Sequence, residues 1–115
     1  MFKLEGKVTD LRIDPKIKVI GFGKIYEKLG LKIEIIHPWT RKYIFASIPL
    51  DYIQNNPLEE KRLQNELKGK KVLYEKESSY EGKEFSFLQR QTLIVMSGKL
   101  KGLRLEYLGN LVDND

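Results

Sequence analysis

The chain has 115 residues, 41% apolar and 32% charged, which is enough for one domain with its own core and too short for two ordinary domains. It has no cysteine and one histidine, which excludes disulfides and cysteine nucleophiles and disfavours zinc sites and histidine-based hydrolases. The net charge is +5, and its excess lies in residues 1–55, where ten basic residues stand against six acidic ones.

The basic balance favours a polyanion as partner, because cationic side chains gain free energy by releasing counterions from phosphates. No stretch approaches the roughly 20 apolar residues of a membrane span, and the first residues lack the apolar region of a secretory signal. We therefore expect a cytoplasmic protein with no membrane partner. The bias toward Lys, Glu and Ile also resembles the composition of thermophile proteins.

The first third of the chain predicts strands. Phe2, Leu4 and Val8 alternate with polar residues, and Leu11 and Ile13 continue in the opposite phase. This change of phase predicts a bulge that lets the first strand pair with both halves of a sheet.

Further strands are predicted on both sides of a helix. A turn at Asp14-Pro15-Lys16 and a tight connection at Leu29-Gly30 would separate strands at 17–27 and 31–35. After a loop at 37–41, a third strand covers 42–48. Beyond the helix we expect strands at 70–76, 84–96 and 100–108, a loop at 78–83, and a frayed tail at 112–115.

One helix is predicted, over about 57–68. Asn56 can cap it, Pro57 suits its first position, Glu59 can close a capping box, and Gly69 can take the left-handed conformation after its end. We expect an approximate apolar stripe that packs against the strands. Its members would be Leu58, Leu63 and Leu67.

The segment Leu67-Lys68-Gly69-Lys70-Lys71-Val72-Leu73-Tyr74 resembles the passage from helix to strand in OB-fold proteins. The order of elements extends this resemblance over nearly the whole chain. It implies a mainly β (α+β) fold: a small OB-like β-barrel formed by a single domain, residues 1–115, with one helix between strands 3 and 4. Many proteins of this fold bind nucleic acids or sugars.

The strongest recognition candidate is the segment Trp39-Thr40-Arg41-Lys42-Tyr43, which interleaves two aromatic rings with two cations. Bases stack on such rings, and cations pair with the phosphates between them. His37 could add a stacking or phosphate contact. In the alternative interpretation, Trp39 closes the barrel rim and Tyr43 lies in the core.

A second candidate cluster lies in the predicted loop at 78–83 and the strand that follows it. Tyr80, Lys83 and Arg90 would contact nucleic acid there, with Phe85 and Phe87 on one face of the strand. The alternative is that both phenylalanines are core residues.

These patterns predict a non-enzymatic module that binds single-stranded DNA or RNA with low sequence specificity, without cofactor or metal. The alternative is a protein-interaction module, such as a viral or accessory subunit of a larger assembly. A metal-dependent hydrolase, in which the pairs Asp10/Asp14 or Glu75/Glu77 would bind Mg²⁺, is the least favoured reading.

Overall fold

The structure, a computed structural model, describes residues 1–80 and 87–111 of the chain. These residues form six strands and one helix. In chain order the elements are β1 (Phe2–Gly21), β2 (Lys24–Ile36), β3 (Tyr43–Pro49), α1 (Pro57–Leu67), β4 (Lys71–Tyr80), β5 (Phe87–Val95) and β6 (Arg104–Leu111).

Strand β1 has 20 residues and two irregularities in its pairing with β2. The predicted bulge is confirmed, because the register shifts between Val8 and Asp10. A second shift lies between Asp14 and Ile17, where we predicted a turn. That prediction is wrong: the strand absorbs the extra residue as a bulge, and the backbone N–H of Lys16 donates to Oδ1 of Asp14 at 2.8 Å.

The chain reverses at Phe22 and Gly23, between β1 and β2. Both residues have positive φ angles, 53° and 73°, and Gly21 pairs with Lys24 across the turn. Two consecutive left-handed residues form a type I′ turn, whose twist matches that of a β-hairpin. The expected strand at 17–27 is therefore divided between β1 and β2.

The predicted connection at Leu29-Gly30 is also wrong, because both residues lie inside β2. Gly30 is buried, and a Cβ atom there would overlap Ile17 and Pro49. The glycine thus permits close packing within the sheet rather than reversal of the chain.

All strand pairs are antiparallel, and the strands lie in the order β3-β2-β1-β4-β5-β6. Strand β1 pairs with β4 through residues 2–7, with β2 through residues 7–21, and with β6 at Val19 and Ile20. The predicted mainly β fold, with one helix between the third and fourth strands, is confirmed. Within the described residues β3 pairs only with β2, while β6, the strand at the other end, pairs with β1 at two residues. Strand β3 is therefore an edge strand, and the six strands do not form one closed barrel.

The helix begins and ends where the sequence predicted. The Asn56 side chain accepts a hydrogen bond from the backbone N–H of Glu59 at 2.8 Å, and Pro57 takes the first helical position. Gly69 follows the C-cap with a φ of 77°. The expected capping box is wrong, because the Glu59 carboxylate instead accepts two hydrogen bonds from Arg62.

The helix packs on the sheet through Leu63 and Leu67, which are both buried. Leu58 is 82% exposed, so its predicted place in the apolar stripe is wrong. Two side chains of α1 also bind the backbone of β1. Gln64 Nε2 donates to the carbonyl of Leu11 at 2.8 Å, and a Glu60 carboxylate oxygen accepts from the N–H of Ile13 at 2.9 Å.

The main hydrophobic core lies between the sheet and the helix. Its most deeply buried side chains are Leu11, Leu31, Ile33, Ile35, Ile48, Leu67 and Leu93. Leu11, Ile33 and Ile35 alternate with exposed or half-buried residues along their strands, as expected for strands with one face in the core.

Beyond the helix, the end of β4 and both ends of β6 differ from the prediction; β6 ends at Leu111 rather than at residue 108. Strand β4 continues to Tyr80, through the start of the predicted loop. Strand β6 begins at Arg104 rather than at residue 100, because a turn precedes it. In this turn Gly102 has a φ of 92°, and its backbone N–H donates to the carbonyl of Val95.

The predicted frayed tail, 112–115, lies outside the described residues. Among the residues that are described, no helix is long and apolar enough to cross a membrane.

Candidate nucleic-acid interface

The loop between β2 and β3, residues 37–42, is held by backbone hydrogen bonds. The N–H of His37 donates to the carbonyl of Lys42 at 2.9 Å, and the N–H of Arg41 donates to the carbonyl of His37 at 3.0 Å. Arg41 has a φ of 58°, in the left-handed region that non-glycine residues seldom adopt. These contacts give the loop a defined shape, with residues 38–40 at its outer end.

The side chain of His37 is part of this loop structure. Its Nδ1 accepts hydrogen bonds from the backbone N–H groups of Trp39 and Thr40, both at 3.1 Å. Nδ1 therefore uses its lone pair within the loop. The ligand contact that we predict for His37 would be made by Nε2 or by the face of the ring.

Trp39 and Tyr43 both face solvent. The Trp39 side chain is 88% exposed at the end of the loop, and Tyr43, the first residue of β3, is 55% exposed. The alternative in which Trp39 closes a barrel rim and Tyr43 lies in the core is therefore wrong. Arg41 and Lys42, between them in sequence, are exposed as well.

The structure adds Phe45 to this surface. Phe45 lies two residues beyond Tyr43 on the same outer side of β3 and is 63% exposed. The Nζ atom of Lys32, on the neighbouring strand β2, lies 5.9 Å from the centroid of its ring, within the range of a cation–π interaction. The alternation along β3 is consistent with this position of Phe45. Ala46 and Ile48 face the core, so Phe45, at an odd-numbered position, faces outward.

We call Trp39, Arg41, Lys42, Tyr43, Phe45 and Lys32 the aromatic-basic surface. It runs from the end of the β2–β3 loop along the outer side of β3.

A shallow depression of about 220 Å³ borders this surface and contains acidic groups. Asp10 and Glu34 line it together with Arg12, Lys32 and Phe45. Glu34 accepts a hydrogen bond from the Thr9 hydroxyl at 2.7 Å. The surplus of positive charge thus lies at the loop end of the aromatic-basic surface, around Arg41 and Lys42.

The Asp10 carboxylate is tied to cations on two elements. It lies 3.4 Å from Nε of Arg12 and 3.6 Å from Nζ of Lys68, at the end of the helix. The pKa of Asp10 is lowered, first by a hydrogen bond from the backbone of Leu11 and then by these two cations. Asp10 therefore stays ionised and links β1 to the helix.

Strand β3 also presents an open backbone edge. The hydrogen bonds from His37 to Lys42 and from Leu50 to Leu29 fix an alternation in which even-numbered residues of β3 face β2. The backbone groups of Tyr43, Phe45 and Ser47 consequently point away from β2. The Ser47 carbonyl accepts from Nε2 of Gln91, on β5, at 3.0 Å, whereas no described strand covers the edge at Tyr43 and Phe45.

The second predicted cluster lies on other strands. Arg90 is exposed on β5, opposite Glu77 of β4 and Leu108 of β6. The backbone of Tyr80 ends β4 opposite Phe87, and Lys83 and Phe85 lie outside the described residues. In the strand order β1 separates β4 and β5 from β2, although Gln91, next to Arg90, contacts β3 at Ser47. The placement of this cluster beside the aromatic-basic surface stays a prediction.

No metal-binding group is present among residues 1–80 and 87–111, where no three His, Asp or Glu side chains come close enough to hold an ion.

Comparisons with protein-family models, with curated proteins and with solved structures found no match to this chain. The function must therefore be inferred from the surface itself.

Proposed function

We propose that this chain is a non-enzymatic module that binds single-stranded nucleic acid through the aromatic-basic surface. The observation that carries the proposal is the exposure of Trp39, Tyr43 and Phe45 on one loop and strand, with Arg41, Lys42 and Lys32 beside them. Three large rings in solvent on one surface are unusual unless they contact a partner.

The strand order supports an OB-like architecture for this module. The order β3-β2-β1-β4-β5, with the helix between β3 and β4, is the order in an OB barrel, and β6 is an addition to it. The hydrogen bond from Gln91 to Ser47 lies where such a barrel would close between β3 and β5. OB-fold proteins bind oligonucleotides on the face of strands 2 and 3, which here carries Lys32 and Phe45.

Stacking would be the main source of affinity. Residues two apart on a strand are separated by about 7 Å, so Tyr43 and Phe45 can each receive one base of an extended strand. Trp39 can receive a further base beyond the strand end, while Arg41 and Lys42 pair with intervening phosphates. Every base has a π face, so low sequence specificity follows.

The first test is a fluorescence-polarisation titration with labelled single-stranded and duplex oligonucleotides at two salt concentrations. We expect tighter binding to the single strand and a steep loss of affinity with salt. Trp39→Ala should weaken binding by ~1–3 kcal/mol and leave thermal unfolding nearly unchanged, because the ring contacts solvent rather than the core. Tyr52→Ala, which removes an exposed ring outside this surface, is the matched control.

The charge of Arg41 has a separate signature. Arg41→Gln should flatten the plot of log affinity against log salt by about 0.7, the slope expected for one phosphate contact on a single strand. Absence of binding at low salt, or equal effects of Trp39→Ala and Tyr52→Ala, would refute the proposed function.

A protein-interaction module is the second candidate, and the open edge of β3 favours it. An extended peptide from a partner could pair with the outward backbone groups of Tyr43 and Phe45. Such a contact would depend little on salt, unlike a phosphate contact, so the salt series separates the two candidates. This candidate includes the viral or accessory subunit that the sequence left open.

A further inference from the structure

The hairpin tip, residues 18–27 at the turn between β1 and β2, is apolar and exposed. Phe22 is fully exposed, and Ile20 and Ile25, which pair with each other across the hairpin, are 38% and 63% exposed. The tip carries none of the residues of the aromatic-basic surface. Three large apolar side chains therefore meet water at this end of the hairpin, where β6 pairs with Val19 and Ile20.

The conformation of Phe22 makes this exposure costly. Its φ of 53° is one that glycine and asparagine adopt readily and that a bulky residue adopts only with strain. A type I′ turn normally has Asn or Gly at this position. Neither burial nor turn geometry accounts for a phenylalanine here, so its ring is available for a contact outside the chain.

Basic residues surround the apolar tip. Lys18 and Lys24 are exposed on the two strands of the hairpin, and Lys16 is exposed at its base. Glu27, opposite Lys18, is the one acidic residue within the tip. Stable attachment to an anionic membrane surface requires an apolar group that inserts and cations that attract the lipid headgroups. The tip has both, because lysines lie beside its exposed apolar side chains.

We propose that the hairpin tip docks on an anionic lipid bilayer, with Phe22, Ile20 and Ile25 in the interfacial region and the lysines among the headgroups. Ile20 and Ile25 are aliphatic and do not stack on bases, so a nucleic acid would use only the Phe22 ring, whereas the interfacial region of a bilayer takes up all three side chains. A stable protein interface takes about 800 Å² from each partner, and a two-residue turn provides little of that area. The interfacial region of a bilayer takes up a few apolar side chains and needs no such area.

Flotation of the full chain with lipid vesicles, without nucleic acid, tests this proposal. We expect binding to vesicles of phosphatidylcholine mixed with phosphatidylserine, and much weaker binding to phosphatidylcholine alone. Phe22→Asn should reduce binding about tenfold or more, because it removes the largest apolar group. Since Asn adopts the left-handed conformation easily, the variant should fold at least as stably as the original chain.

Two further variants complete the design. Lys18→Gln with Lys24→Gln should abolish the preference for phosphatidylserine, whereas Tyr52→Ser, at an exposed ring outside both the tip and the aromatic-basic surface, should leave vesicle binding unchanged. The proposal is overturned if the chain does not float with anionic vesicles, or if Phe22→Asn floats as well as the original. Cross-linking of the tip to a protein in place of vesicle binding would also overturn it. None of these results bears on the oligonucleotide titration.

Discussion

One imidazole nitrogen organises the loop that presents Trp39. Nδ1 of His37 accepts from the N–H groups of Trp39 and Thr40, while the His37 backbone closes the loop onto Lys42 and Arg41. The loop therefore has a fixed shape even though its outer residues are exposed. The side chain for which we predict a ligand contact thus also supports the residues beside it.

The acceptor at position 37 should matter more than the ring. His37→Ala should lower the free energy of unfolding by ~0.5–1.5 kcal/mol, the usual net contribution of hydrogen bonds that are lost to water. His37→Asn should retain most of that stability, because an Asn side chain also accepts from backbone N–H groups just ahead of it. Urea titrations of the three proteins provide the measurement, and equal losses in both variants would contradict this role for Nδ1.

Asp10 should make stability depend on pH in the acid range. The pKa of Asp10 in the folded chain is lowered from its ordinary value of 3.8, so its contribution to stability is fully present above that value and is lost as the pH falls through the folded value. Asp10→Asn should therefore lower the melting temperature at neutral pH. The loss in the free energy of unfolding should be about 1 kcal/mol or less, because Asp10, Arg12 and Lys68 are all partly exposed to solvent. The difference should vanish in strong acid; a difference that is the same at both ends of the pH range would contradict this account.

At the scale of elements, helix α1 is defined locally and oriented by its contacts. Asn56 and Gly69 mark its ends. Gln64 and Glu60 then tie one side of it to the backbone of β1. These hydrogen bonds explain why Leu63 faces the core and Leu58, five residues earlier, faces water.

Two leucines of the helix allow a matched comparison. Leu63→Ala should destabilise the protein by ~2–5 kcal/mol, because it leaves a cavity between the helix and the sheet. Leu58→Ala removes the same atoms from an exposed position and should change stability by less than about 0.5 kcal/mol. Denaturant titration of both variants decides the matter, and similar losses would mean that the helix packs differently.

For the molecule as a whole, one side chain connects β3, at one end of the strand order, with β5. Gln91 of β5 is almost fully buried; its Oε1 accepts from the Tyr74 hydroxyl of β4 at 2.6 Å, and its Nε2 donates to the carbonyl of Ser47 on β3. Strands that share no ladder are thus connected through a buried amide. The link lies beside the open edge of β3.

Loss of this link should destabilise the whole fold. Gln91→Leu should cost ~1–3 kcal/mol, because both hydrogen bonds of a buried amide disappear while the side-chain volume is nearly kept. Arg90→Leu, at the adjacent exposed position, should stay within about 0.5 kcal/mol of the original protein. Thermal and denaturant unfolding measure both; an unchanged Gln91→Leu variant would show that β3 is held by its pairing with β2 alone.

The sequence by itself determined the local features of this protein. The limits of the helix followed from Asn56, Pro57 and Gly69, whose side chains or backbone preferences act over one turn. The bulge in β1 followed from the change of phase at Leu11. Each of these features depends on residues that are neighbours in sequence, so a pattern of a few residues contains the cause.

Only the tertiary structure decided which local signal prevailed. Asp14-Pro15-Lys16 and Gly21-Phe22-Gly23 both suit a reversal of the chain, and pairing of β1 with β2, β4 and β6 allows only the second. The exposure of Leu58 and the burial of Gln91 likewise depend on strands far away in sequence. Burial and pairing are set by contacts between distant segments, and no short stretch of sequence contains both partners of such a contact.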